Sequence, residues 1–112
     1  WMPDYYHEPM PGALDRQLRF AIAHKRLIEV RYGGRRRLAG PHDYGMKNGS
    51  PKLLIYQLRS GGAAPGADAR GWRLLDVGKI SICAVSDSTF AGSRGASLQQ
   101  HFVWDELFAR VN

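Results

Sequence analysis

The sequence predicts a mainly β domain with flanking helices, built as a small β-barrel of about five short strands with an N-terminal helix and a C-terminal helix. Three observations predict it. Short apolar runs recur between turn residues, the spacing of a small all-β unit. The segments 13–27 and 97–111 instead place apolar residues at helical spacing. At 112 residues the chain is expected to form one domain, long enough to bury a core without metal or disulfide staples.

Residues 1–12 hold Pro3, Pro9, Pro11, Tyr5 and Tyr6 with no apolar period, and the expectation is an irregular arm. Residues 13–112 form the domain, its barrel core at about 27–90. In the first helix, 13–27, Leu14, Leu18, Ala21, Ile22 and Lys25 share a face. The Lys25 stem covers apolar surface there.

The first hairpin follows. Ile28-Glu29-Val30-Arg31-Tyr32 alternates as a half-buried strand, Gly33-Gly34 reverses it, and Arg35-Arg36-Arg37-Leu38 returns. A two-residue turn sets Val30 opposite Arg37. A three-residue turn, Gly33-Gly34-Arg35, sets Val30 opposite Leu38 and Tyr32 opposite Arg36. A slip of one residue moves every side chain across the sheet. The three-residue loop is preferred because it buries Leu38 with Val30. Arg31 and Arg37 then pair on the outer face beside Glu29.

Asn48-Gly49-Ser50-Pro51 is the next turn, and Leu53–Leu58 is a strong strand. The segment 60–71 is rich in Gly, Ala and Pro and reads as a loop. Trp72-Arg73-Leu74-Leu75 resumes extended structure, Asp76-Val77-Gly78-Lys79 turns, and Ile80–Val85 is the last clear strand. In the tail, Ser97 caps a helix carrying Leu98, Phe102, Trp104, Leu107, Phe108 and Val111 on a broad apolar face.

The formal charge is +6 and the isoelectric point about 9.9, a balance that favours anionic partners. Half of the lysines and arginines fall between Arg16 and Arg37, where only Glu29 opposes them. The single cysteine, Cys83, excludes an internal disulfide and lies in an apolar run, where a thiol behaves as a small hydrophobe. No run approaches the ~18 apolar residues of a membrane span, and no signal peptide is evident. A reducing cytoplasm is the expected compartment.

Catalytic chemistry finds little support. His7, His24, His42 and His101 are not at metal-ligand spacing to one another or to Cys83. No Gly-x-Ser-x-Gly elbow occurs. The Gly-rich stretch after Arg59 lacks a Gly-Lys-Ser/Thr ending and precedes a strand, so it is no phosphate loop. Asp105 and Glu106 are adjacent and diverge on a helix. The expectation is a protein that is not an enzyme, with no metal and no cofactor.

Binding chemistry finds more. Arg31, Arg37 and Arg73 are the candidate phosphate contacts, with Arg59 in support. His42, Tyr44 and Tyr56 are candidates to stack or to hydrogen-bond. Trp72 alternates with Arg73 and is expected in the core. The expected partner is a single-stranded nucleic acid or a nucleotide, with no membrane. The alternative is a protein-interaction or accessory module acting as a homodimer, motivated by the apolar tail, the aromatic arm and the association of small barrels through strand edges.

The helix, the strand ending Arg31-Tyr32, the Arg37-Leu38-Ala39-Gly40-Pro41 run, the central strand, and Gly71-Trp72-Arg73-Leu74-Leu75 leading to Ile80 resemble the WYL domain over roughly residues 14–90. The resemblance is to its short stand-alone bacterial forms. It implies an Sm-like, SH3-type β-barrel with an N-terminal helix. It also implies a ligand-sensing role, as in the bacterial transcription regulators of that family, with basic barrel residues binding nucleic acid. Two features depart from the pattern. The Trp-Tyr-Leu triplet is absent, the strand reading Lys52-Leu53-Leu54-Ile55-Tyr56-Gln57, and Gly40 stands before Pro41 where an acidic residue is common. With no helix-turn-helix ahead of the barrel, operator recognition by this chain alone is not expected.

Overall fold

A computed structural model describes residues 9–61, 70–94 and 103–112. Helix α1 spans Pro9–Ala23. The strands follow as β1 (Arg26–Tyr32), β2 (Arg35–Lys47), β3 (Ser50–Ser60), β4 (Gly71–Asp76), β5 (Ile82–Thr89) and β6 (Glu106–Arg110), with a short 3-10 turn at Val77–Lys79. The sheet is antiparallel and six-stranded, in the order β4-β3-β2-β1-β5, with β6 also pairing β2.

The sheet does not close. Among the described residues β4 and β5 end its main path and β6 pairs on one side alone, so the expected barrel is an open sheet. α1 lies across one face. Its buried Leu18, Ala21 and Ile22 meet Ile28, Val30, Ala39, Tyr44, Leu53, Ile55, Leu75 and Val111. This inner face alternates along the strands with a second, outer face.

Two helix expectations change. The first helix begins at Pro9, inside the segment expected to be irregular, and ends at Ala23; residues 1–8 of that arm lie outside the described residues. Lys25 turns away with φ 53° and does not extend the helix. The C-terminal helix is corrected to a strand. Residues 97–102 lie outside the described residues, but 106–110 form β6 against the second half of β2. Its register explains the choice. Asp105 N donates to Met46 O at 2.8 Å and Val111 N to His42 O at 2.8 Å, so backbone groups that β1 leaves unpaired on β2 find partners. Gly45 permits the approach, because a Cβ there would overlap the Glu106 carbonyl and come within 3.0 Å of the Trp104 ring.

The hairpin register is also corrected. β1 and β2 pair Val30 with Arg37, Arg31 with Arg36 and Tyr32 with Arg35. The loop is the two-residue Gly33-Gly34, at φ 60° and 74°. Both values are left-handed, as a turn matching the sheet twist requires. Arg37 therefore shares the inner face with Val30, and Leu38 lies on the outer face opposite Glu29. Asn48 and Gly49, at φ 54° and 83°, make the equivalent turn between β2 and β3. The last expected strand, Ile80–Val85, begins two residues later and runs on to Thr89. Among the described residues no helix is long and apolar enough to cross a membrane.

Candidate anion-binding face

The outer face is basic at the hairpin end. Arg36 donates to Glu29 across the hairpin at 3.0 Å, the arginine largely exposed and the glutamate about half. Two shallow hollows meet at this pair. One, of about 310 Å³, lies between Arg36, Arg37, Arg59 and Ser60. The other, of about 360 Å³, lies between Arg31, Arg36 and Ile82. Among the described residues Glu29 is the sole acid on either lining. Ser60 Oγ is buried at the first hollow and makes no hydrogen bond.

Local sequence sets this arrangement. The tight Gly33-Gly34 turn puts Arg36 opposite Arg31, and Glu29 follows on the same face. An irregularity in the β2–β3 pairing makes Leu58 the extra residue, so Leu38 pairs Arg59 while Ala39 pairs Gln57. That bulge leaves Arg59 on the outer face, next to the hairpin. Residue spacing alone did not reveal Arg36, because the three-residue loop turned it inward. The signal available was the Gly-Gly pair itself, which favours a two-residue turn.

Arg37 and Arg73 are brought together, but at the inner margin of the sheet. Arg37 Nη1 donates to the buried Gln57 Oε1 at 2.9 Å and Nε to Tyr32 O at 3.3 Å. Its guanidinium stands 5.4 Å from the Tyr32 ring. Partial burial, then Arg35 and Arg73 nearby, lower its pKa. Arg73 donates to Trp72 O at 2.9 Å. Arg31 is separate, on the outer face, so the three arginines do not converge in one groove.

His42 and Tyr44 do not reach the surface. Tyr44 belongs to the core, 5 % exposed. Its hydroxyl donates to Asp15 Oδ1 at 2.7 Å, and burial, then that carboxylate, pushes its pKa upward. His42 is fully buried, packed against Trp72 at 4.7 Å and Phe90 at 5.3 Å between ring centroids. Its Nδ1 lies 2.8 Å from Gly40 O. A carbonyl only accepts, so Nδ1 carries the proton. Burial is the main cause that lowers its pKa, with the Arg94 charge adding to it.

Tyr56 is half-buried on the outer face, opposite Gly40 and Trp72. The Trp72 ring meets it edge-on at 5.4 Å. Trp72 is therefore part of an aromatic layer on the outer face, not of the core under α1. Cys83 is free and partly buried, its thiol pushed up to about 11 by burial. Among the described residues no group of three or more His, Cys, Asp or Glu side chains is placed to hold a metal ion.

No family model matches the chain, and neither a curated protein nor a solved structure is significantly similar to it.

Proposed function

We propose that the chain is a non-enzymatic binding module for nucleic acid or nucleotide phosphates, held by Arg31, Arg36, Arg37 and Arg59. One observation carries the reading: two hollows meet at Arg36, and among the described residues four arginines line them with a single acid, Glu29. Guanidinium groups suit this task because they pair phosphate oxygens in a fixed fork. The resemblance to the WYL domain supports the same ligand class and a sensing role.

Fluorescence anisotropy with short single-stranded DNA and RNA at two salt concentrations tests it. Binding is expected to weaken with salt at a slope of about −0.7 per phosphate neutralised on a single strand. Three or four contacts then give a clearly salt-dependent affinity. Absence of binding at low salt would overturn the reading.

A second reading rests on Ile82, 56 % exposed at the edge strand β5. It adjoins a hollow of about 290 Å³ beside Leu14, Ile80 and Cys83. An apolar residue on an open edge is a feature of chains that associate. A stable dimer in light scattering that ignores oligonucleotides would favour an accessory module instead.

A further inference from the structure

We propose that the exposed side of the Tyr56 ring is a nucleobase-stacking site, covered in this structure by the Arg94 guanidinium. The inference rests on the phosphate-binding reading above and adds the base to it. The Arg94 guanidinium carbon lies 3.7 Å from the Tyr56 ring centroid, the separation of two stacked flat groups. Arg94 is exposed, and among the described residues it makes no hydrogen bond or ion pair. Among the described residues its contact with the ring is the interaction that holds it in place. A flat cation over a tyrosine at an exposed site contributes little. A nucleobase covers more of the ring and stacks more strongly.

The ring is braced from behind. Trp72 meets Tyr56 edge-on at 5.4 Å, and His42 meets Trp72 edge-on at 4.7 Å. Phe90 closes over Gly40, whose missing side chain leaves room for it, with ring atoms 3.3 Å from where a Cβ would stand. Tyr56 is thus fixed in orientation, while among the described residues its cover is the Arg94 side chain. The site also adjoins the arginine hollow. Tyr56 pairs Gly40 and Arg59 pairs Leu38, on alternate residues of β2. These positions share the outer face about 7 Å apart, a gap that neighbouring parts of one strand bridge. Arg94 displaced from the ring adds a further cation beside the bound strand.

Anisotropy with oligothymidylate and with an abasic strand of equal length and charge separates base from phosphate. Oligothymidylate is expected to bind about tenfold more tightly. Tyr56→Leu should abolish that advantage and leave abasic binding unchanged. Tyr56→Phe, which keeps the ring and its packing, should retain it, as should Arg94→Ala. Equal affinity for the two strands overturns the proposal, and so does loss of the advantage in Tyr56→Phe or Arg94→Ala, or an equal loss for both strands in Tyr56→Leu. Tyr56-dependent binding of oligothymidylate with no binding of the abasic strand would sink the phosphate reading and keep the stacking site. No binding of either strand at low salt would overturn both.

Discussion

Both carboxylate oxygens of Asp43 are held by the Arg110 guanidinium, at 3.1 and 3.0 Å. Asp43 is fully buried, while the Arg110 side chain is 43 % exposed. The pair fastens β6 to β2, and its two ends differ in what their loss leaves behind. Arg110→Ala removes the two-point partner of a buried carboxylate and is expected to cost roughly 3 kcal/mol, toward the low end for breaking such a pair because solvent reaches the arginine. Adding Asp43→Asn to that variant removes the buried negative charge and should recover part of the loss. Urea unfolding of the two variants measures both effects. A double variant no more stable than Arg110→Ala would show that the charge is not the cause.

Gly45→Ala is expected to destabilise by about 1–3 kcal/mol, as overpacking does. The atom it meets is the Glu106 backbone carbonyl, which has no rotamer to change. The effect should be local first. Hydrogen exchange of amides 106–110 should accelerate more than that of β3. Uniform acceleration across the sheet would contradict a β6-specific clash.

Arg59→Ala should leave the melting temperature unchanged, since Arg59 is exposed. It should also reduce the salt slope of oligonucleotide binding by about 0.7. Arg37→Ala should behave in the opposite way. It removes hydrogen bonds to Gln57 and Tyr32, at a cost of about 1 kcal/mol, or about 4 °C in melting temperature. Its guanidinium is already engaged, so its share in binding should be the smaller. Paired melting curves and binding isotherms decide between these roles.

The pH dependence of stability should carry the signature of His42. Its folded pKa lies below the ordinary 6.5, mainly through burial. The unfolded chain therefore takes up the proton first as pH falls. Stability is expected to be full above about pH 6.5 and to fall as the pH drops through the folded value. His42→Phe should flatten this slope between about pH 8 and pH 5, whatever its effect on absolute stability. An unchanged slope would rule out His42 as its source.

Much of the sheet was legible in the sequence because its signals are local. Leu53–Leu58, the strand around Trp72 and the turn at Val77–Lys79 all announce themselves through short apolar runs and turn residues. The hairpin register was missed for a physical reason. Leu38 looked like a residue to bury with Val30, yet it lies opposite Glu29 on the outer face, while Arg37 reaches inward to a buried amide partner. The tail was missed because Leu107, Phe108 and Val111 fit helical spacing as well as they fit a strand. What selects the strand is the unpaired half of β2 and the space above Gly45, more than 60 residues earlier in the chain. Of the candidate site, Arg31 was legible on the outer face from the alternation of β1, while Tyr56 was a candidate whose face the sequence left open. His42 and Tyr44 were hidden by burial that only the tertiary packing of Phe90, Trp72 and α1 creates.

β2 is the one strand with three partners: β3 along most of its length, β1 on its first half and β6 on its second. The β2–β3 ribbon closes through the Asn48-Gly49 turn and needs no distant chain, so it can assemble early. β6 arrives from far along the sequence and pays the loop-closure entropy last. Until it docks, Asp43–Met46 is a bare strand edge with hydrogen-bonding groups facing solvent. A nascent or truncated chain without β6 therefore presents a template for strand addition, and the β6 of another copy is the segment shaped to fill it, so exchange of this strand between copies is the misassembly the topology invites.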